Sequence, residues 1–146
     1  MPIRVQRKRT KGYRLPPNTI SVCRPGRFGN PFRLTDVYEL AEQQGAKAGI
    51  VDPEQIRQLA QQLVVDRFAQ LLADPYGIPS DESFVSEAIR QRFVWMRGNL
   101  GLLKGKNLAC FCALLSKEGK PNPCHADTLL FYSNDESLPH LGLKLE

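Results

Sequence analysis

The sequence predicts a small single-domain α/β protein, with a short, at least partly parallel sheet of about three strands flanked by helices. Three observations lead there. The strand-like segments Thr19–Cys23 and Leu108–Cys112 are separated by three helical patterns, and strands joined through helices tend to run parallel by a right-handed crossover. A chain of 146 residues has the usual length of one domain. Its 42% hydrophobic and 24% charged content is ordinary for a globular fold.

The elements follow in order. Residues 1–18 read as a basic N-terminal arm or an edge strand: Ile3–Thr10 mixes apolar and basic residues, and Pro16 and Pro17 then remove ladder donors. Thr19–Cys23 is short, β-branched and bounded by prolines, as a strand should be. An irregular loop, Arg24–Phe32, follows. Thr35 is the expected N-cap of a first helix to Gln44, with Gly45 as its stop. After a flexible link, Asp52-Pro53-Glu54-Gln55 combines a capping Asp, Pro at the first helical position and Gln at the capping-box place. Apolar residues then recur at helical spacing from Ile56 to Leu72, ending at Ala73. Ser80 or Asp81 is the expected cap of a third helix reaching Arg97, with Phe84, Ala88, Ile89, Phe93 and Met96 as its core face. Leu108–Cys112 is the last strand. Pro121-Asn122-Pro123 leads into a final helix, Cys124–Ser133, stopped by Asn134. The tail, 135–146, reads as a short edge strand or as disordered.

Charge is unevenly placed. Residues 1–33 hold nine Lys/Arg and no acid, so the remainder carries 11 basic and 15 acidic residues within an overall +5. A one-sided positive field attracts phosphates, whether of a nucleotide or of a nucleic acid; the alternative is a solvated arm that aids solubility. No apolar run spans a bilayer, so no membrane partner is expected. No apolar segment follows the basic N-terminus as a signal peptide requires, so the expected location is the cytoplasm. In that reducing compartment four cysteines point to metal binding, catalysis or burial rather than disulfides.

Two motifs carry chemistry. In the basic loop, Gly26 and Gly29 permit close backbone approach, Asn30 tolerates unusual φ, and Arg24 and Arg27 offer planar donor forks for an anion. Arg24, Arg27, Gly29 and Asn30 are therefore candidate ligand-binding residues, against a bland alternative in which they only shape a turn. In the second motif, Cys110 and Cys112 sit two apart on a predicted strand and so share a face. With Cys124 and His125 they would make a Cys3His set that suits tetrahedral Zn2+. A catalytic reading competes with it: Cys124 stands at a helix N-terminus, which lowers a thiol's pKa, and His125 and Asp127 are near enough to act as base and orienting group. The third reading is burial, since cysteine packs as a small hydrophobe. The two motifs follow the two strands, so adjacent parallel strands would bring them to one edge of the sheet and join them into one site.

These segments resemble an uncharacterised bacterial and phage family, domain of unknown function 4326. The likeness rests on Gly12-Tyr13-Arg14 through Arg24-Pro25-Gly26-Arg27-Phe28-Gly29-Asn30-Pro31-Phe32, and on Leu108-Ala109-Cys110-Phe111-Cys112 followed by Cys124-His125-Ala126-Asp127. Phe28 and Phe111 stand where that family's pattern has tryptophan. The helical insert at 45–79 and the 11-residue spacer between Cys112 and Cys124 are longer than its usual form. The resemblance implies a shared site at both motifs and assigns no activity. The resulting expectation is a ligand-binding protein or small enzyme acting on a phosphate-bearing ligand. The alternative is a non-enzymatic nucleic-acid-binding module using Arg4–Arg14, with structural zinc or structural cysteines.

Overall fold

A computed structural model describes residues 2–77 and 85–134. Within them the α/β expectation holds: strands β1 (Arg4–Gln6), β2 (Thr19–Ser21) and β3 (Asn107–Cys110) form one sheet with helices α1 (Leu34–Lys47), α2 (Pro53–Ala73), α3 (Glu87–Gly98) and α4 (His125–Asn134). The strand order is β1-β3-β2, and both pairs are parallel. The N-terminal arm is thus an edge strand, shorter than Ile3–Thr10. The central strand arrives last in the chain and is held from both sides: Leu108 N–H donates to the Ile3 carbonyl, and Val22 N–H donates to that of Ala109. Its residues Leu108, Ala109 and Cys110 are buried, as a strand covered on both faces requires. No helix among the described residues is long and apolar enough to cross a membrane.

Several boundaries differ from the sequence expectation, each for a visible reason. α1 starts one residue before Thr35, because Asp36 closes the turn by accepting from the Arg33 N–H at 2.8 Å. It also runs through Gly45 to Lys47, and the chain turns at Gly49 with φ +77°. Gly45 serves packing instead: a Cβ there would lie 3.0 Å from the Ile50 carbonyl oxygen as the chain folds back. α2 starts as expected, with the Asp52 carboxylate accepting from Gln55 N–H at 3.1 Å. Ser80, Asp81 and Phe84 lie outside the described residues; the described α3 begins behind Ser86, whose hydroxyl caps Ile89 N–H. Ala88 is exposed on that helix, and Arg90 turns inward to bond the Pro75 carbonyl at 2.7 Å. β3 ends at Cys110, so Cys112 lies beyond the strand. α4 begins at His125, leaving Cys124 just before it.

α2 is the helix that organises the core. Residues 45–79 read as an insert, yet Ile56, Ala60, Val64, Phe68, Leu71 and Leu72 are buried there. Phe68 packs edge-on against both Phe93 of α3 and the His125 ring at the start of α4. The expected tail, 135–146, lies outside the described residues.

Leu108 is fully buried on the central strand. Leu108→Ala should cost about 2–5 kcal/mol. Urea denaturation checks this, as a lower midpoint with an unchanged slope.

Candidate functional site

β2 and β3 are adjacent and parallel, so the chain leaves both at the same edge of the sheet. Arg24–Phe32 follows β2, and the Cys112–Cys124 spacer follows β3. The Cys/His cluster forms where the two emerge. Cys110 and Cys112 Sγ are 3.7 Å apart, although the second is off the strand. Cys124 Sγ lies 3.7 Å from His125 Nδ1. The ligand atoms of Cys110, Cys124 and His125 all lie within 4.8 Å of one another, and all three residues are buried. These three residues can hold a metal ion. His125 Nε2 is 2.8 Å from the Val22 carbonyl oxygen, which only accepts. Nε2 therefore donates this bond, which leaves Nδ1 facing Cys124 Sγ.

The thiols are polarised against one another. Cys110 is driven well below the ordinary thiol range by hydrogen bonds from Cys112 and then Cys124. Cys112 is pushed up, first by its bond to Cys110, and Cys124 is pushed up by its bonds to Cys110 and Cys112 and then by burial.

Of the residues of the catalytic reading, Cys124 and His125 are in contact and the Asp127 carboxylate stands apart. Cys124 is 0% exposed. Asp127 turns its carboxylate to Arg4 Nη1 at 2.8 Å, with its side chain 56% exposed, while the His125 nitrogens face Val22 and Cys124. Cys124 and His125 thus face each other, and the Asp127 carboxylate orients neither.

In the basic loop, much of the side-chain chemistry is directed inward. Arg24 Nη1 donates to the carbonyls of Asn30 and Phe32, at 3.3 and 3.1 Å. The Asn30 amide donates to the Val64 carbonyl and accepts from Phe32 N–H. A Cβ on Gly29 would sit 2.8 Å from the Arg24 backbone nitrogen, so the loop closes on itself only with glycine there. Arg27 stacks over Trp95, 4.9 Å from the ring centroid, and Phe28 packs on the same ring at 5.0 Å.

The loops nevertheless enclose a common space. A cavity of about 250 Å³ is walled on one side by Cys23, Arg24, Asn30 and Phe32, and on the other by Cys110, Phe111, Cys112 and His125. Arg9 and Gln61 complete it, and no acidic residue among those described lines it. Arg24 and Asn30 of the four predicted ligand residues are in this wall; Arg27 and Gly29 are not.

Arg92 and Gln61 escaped the sequence reading, and Arg4 and Arg9, expected there only as part of the basic arm, take specific places. Arg92 of α3 donates to the carbonyls of Gly26, Arg27 and Gly29, bracing the basic loop from outside. Burial, and then the charge of Arg24, lowers its pKa. Gln61 of α2 donates to the Pro123 carbonyl at 2.8 Å and faces Cys112 Sγ at 3.8 Å. Arg9 lies over Phe111, 3.9 Å from its centroid. Arg4 binds the Asn122, Ala113 and Leu114 carbonyls besides Asp127. Arg92 and Gln61 sit among polar residues on helices, where nothing local separates a clamp from a solvated side chain.

Arg4 therefore fastens the spacer to the edge strand. Arg4→Ala should make residues 113–122 markedly faster to cleave in limited proteolysis. Asp127→Asn should change stability by less than about 1 kcal/mol, because its carboxylate is half exposed.

A family model described as Domain of unknown function (DUF4326) matches residues 5–135. No curated protein and no solved structure matches the chain. The matched stretch takes in the basic loop, the cluster and every residue of the cavity wall. With that coverage, the chain belongs to the DUF4326 family, a domain of unknown function.

Proposed function

We propose that the protein binds a phosphate-bearing ligand, a nucleotide or nucleic acid, in the cavity between the two loops, beside a zinc ion held by Cys110, Cys112, Cys124 and His125. One observation carries this reading: a single cavity free of acidic residues has Arg9 and Arg24 in its wall together with Cys110, Cys112 and His125. Guanidinium forks suit phosphate oxygens, and with no carboxylate opposing them an anion is the favoured occupant.

The donor set supports zinc. Tetrahedral Zn–S bonds of about 2.3 Å place neighbouring sulfurs about 3.8 Å apart. The Cys110–Cys112 and Cys124–His125 separations are both 3.7 Å. The Val22 carbonyl holds the imidazole in the tautomer that a metal needs, the usual supporting contact of a ligating histidine. Four protein ligands fill a tetrahedron, which is the form of a structural site. Bound zinc would tie the spacer after Cys112 to the end of β3 and so fix one wall of the cavity. Three thiolates outweigh the ion's charge, so attraction for the ligand falls to Arg9 and Arg24.

The competing module reading places nucleic acid on Arg4–Arg14. Arg4 and Arg7 bond inward, the latter to Ser21 Oγ, whereas Lys8, Arg9, Lys11 and Arg14 are exposed. The cavity reading uses Arg9 alone of these.

Protein purified without chelator should carry close to one zinc ion per chain, and His125→Ala should lose most of it; absence of bound metal in the wild type overturns the zinc assignment. In calorimetric titration with a nucleoside monophosphate, Arg9→Ala should weaken binding about tenfold, or about 1.4 kcal/mol, with zinc content unchanged. A Lys8→Ala/Lys11→Ala/Arg14→Ala variant should stay within about threefold of wild type; the reverse ranking favours the module.

A further inference from the structure

We propose that the cavity is one half of a longer groove, and that its ligand is a single nucleic-acid strand at least two nucleotides long. This rests on the reading that the cavity takes a phosphate-bearing ligand, and it names the class.

The observation is a second cavity, of about 310 Å³, that adjoins the first. Gln61, Phe111 and Cys112 line both, so the two spaces border the same three side chains. The first cavity, about 250 Å³, falls short of the usual range for a ligand pocket of about 300–1,000 Å³, and the two together lie inside it. The second space has its own cations, Arg57 of α2 and Lys117 of the spacer, with Glu54 as its one acid. Arg57 and Lys117 are exposed and make no side-chain hydrogen bond or ion pair among the described residues. They differ in this from Arg24, which holds backbone carbonyls.

The shared side chains supply what lies between two phosphates. Phe111 carries two guanidinium groups, Arg9 at 3.9 Å and Arg7 at 4.7 Å from its centroid, and of the two Arg9 lines the cavity. Arginine and aromatic side chains are the groups on which unpaired bases stack. Cation, stacking layer, cation is the arrangement that follows a single strand, whose backbone charges alternate with unpaired base faces. A mononucleotide would fill one half and leave Arg57 and Lys117 unused. A duplex offers no base face for stacking, because its bases are stacked and paired. The far wall is also held in place: Gln58 donates to Glu118 at 3.2 Å and Gln61 to the Pro123 carbonyl at 2.8 Å, pinning the spacer to α2.

The test is a length series on the metal-loaded full chain at fixed, moderate salt, because phosphate contacts are salt-dependent. Thymidine and uridine 5′-monophosphate, the corresponding di- and tetranucleotides, and a duplex of the tetranucleotide's length class are compared by competition against a labelled strand. The expected result is affinity rising about tenfold or more from mono- to tetranucleotide, with the duplex no better than the mononucleotide. The surface variant Arg57→Ala/Lys117→Ala, its fold checked by circular dichroism, should bring the tetranucleotide to within about twofold of the mononucleotide. Equal affinity at all lengths, preferred duplex binding, or a length gain untouched by the variant overturns the groove while leaving the anion-binding cavity standing. Failure of mono- and oligonucleotides alike overturns both. The thymidine and uridine arms tell DNA from RNA.

Discussion

The contact between His125 Nε2 and the Val22 carbonyl, 2.8 Å long, joins the two halves of the site. Val22 follows β2 directly, and His125 opens α4. Val22 N–H is itself bonded to Ala109 on the central strand, next to Cys110. One residue, Val22, therefore links through its N–H and its carbonyl the strand that launches the basic loop, the strand that carries the first cysteine, and the helix that carries the histidine. It also sets the proton on Nε2 and aims Nδ1 at Cys124. Loss of the β2–β3 register by one residue would move Val22 to the other face and dissolve this arrangement.

Around that contact, arginine does structural work that its charge conceals. The basic loop and the spacer have few backbone partners of their own, so their carbonyls need outside donors. Arg24 and Arg92 supply them to the first, Arg4 to the second. A guanidinium suits this role because its fork of N–H groups reaches several carbonyls at once. Part of the positive charge in residues 1–33, at Arg4 and Arg24, thus holds loop backbone in place, while Arg9, over Phe111, faces the cavity beside Arg24.

Much of the site was legible from spacing. Cys110, Cys112, Cys124 and His125 were found because metal-ligating residue types recur there at chelating separations, and three of them meet in the structure. The period-two argument for the Cys-x-Cys pair reached the right contact through the wrong element, since the chain bends after Cys110 and still returns Cys112 to 3.7 Å. Arg27 illustrates the opposite case. Its place in a glycine-rich loop suggested a ligand contact, but Trp95, 68 residues later in the chain, takes its guanidinium. A stacking partner on a distant helix leaves no trace in local sequence.

The sequence by itself determined the alternation of strands and helices, the start of α2 at Asp52-Pro53, and the two motifs, because caps, hydrophobic periods and ligand spacings are local properties. Tertiary structure decided the rest. It put the N-terminal arm at the sheet edge, made β3 central, set Cys124 wholly inside, and sent Asp127 to Arg4 instead of His125. It also opened one space between Arg9, Arg24 and the cysteines. These depend on which side chains meet across more than a hundred residues of chain, as Arg4 meets Asn122 and Val22 meets His125, and packing against α2 settles that choice.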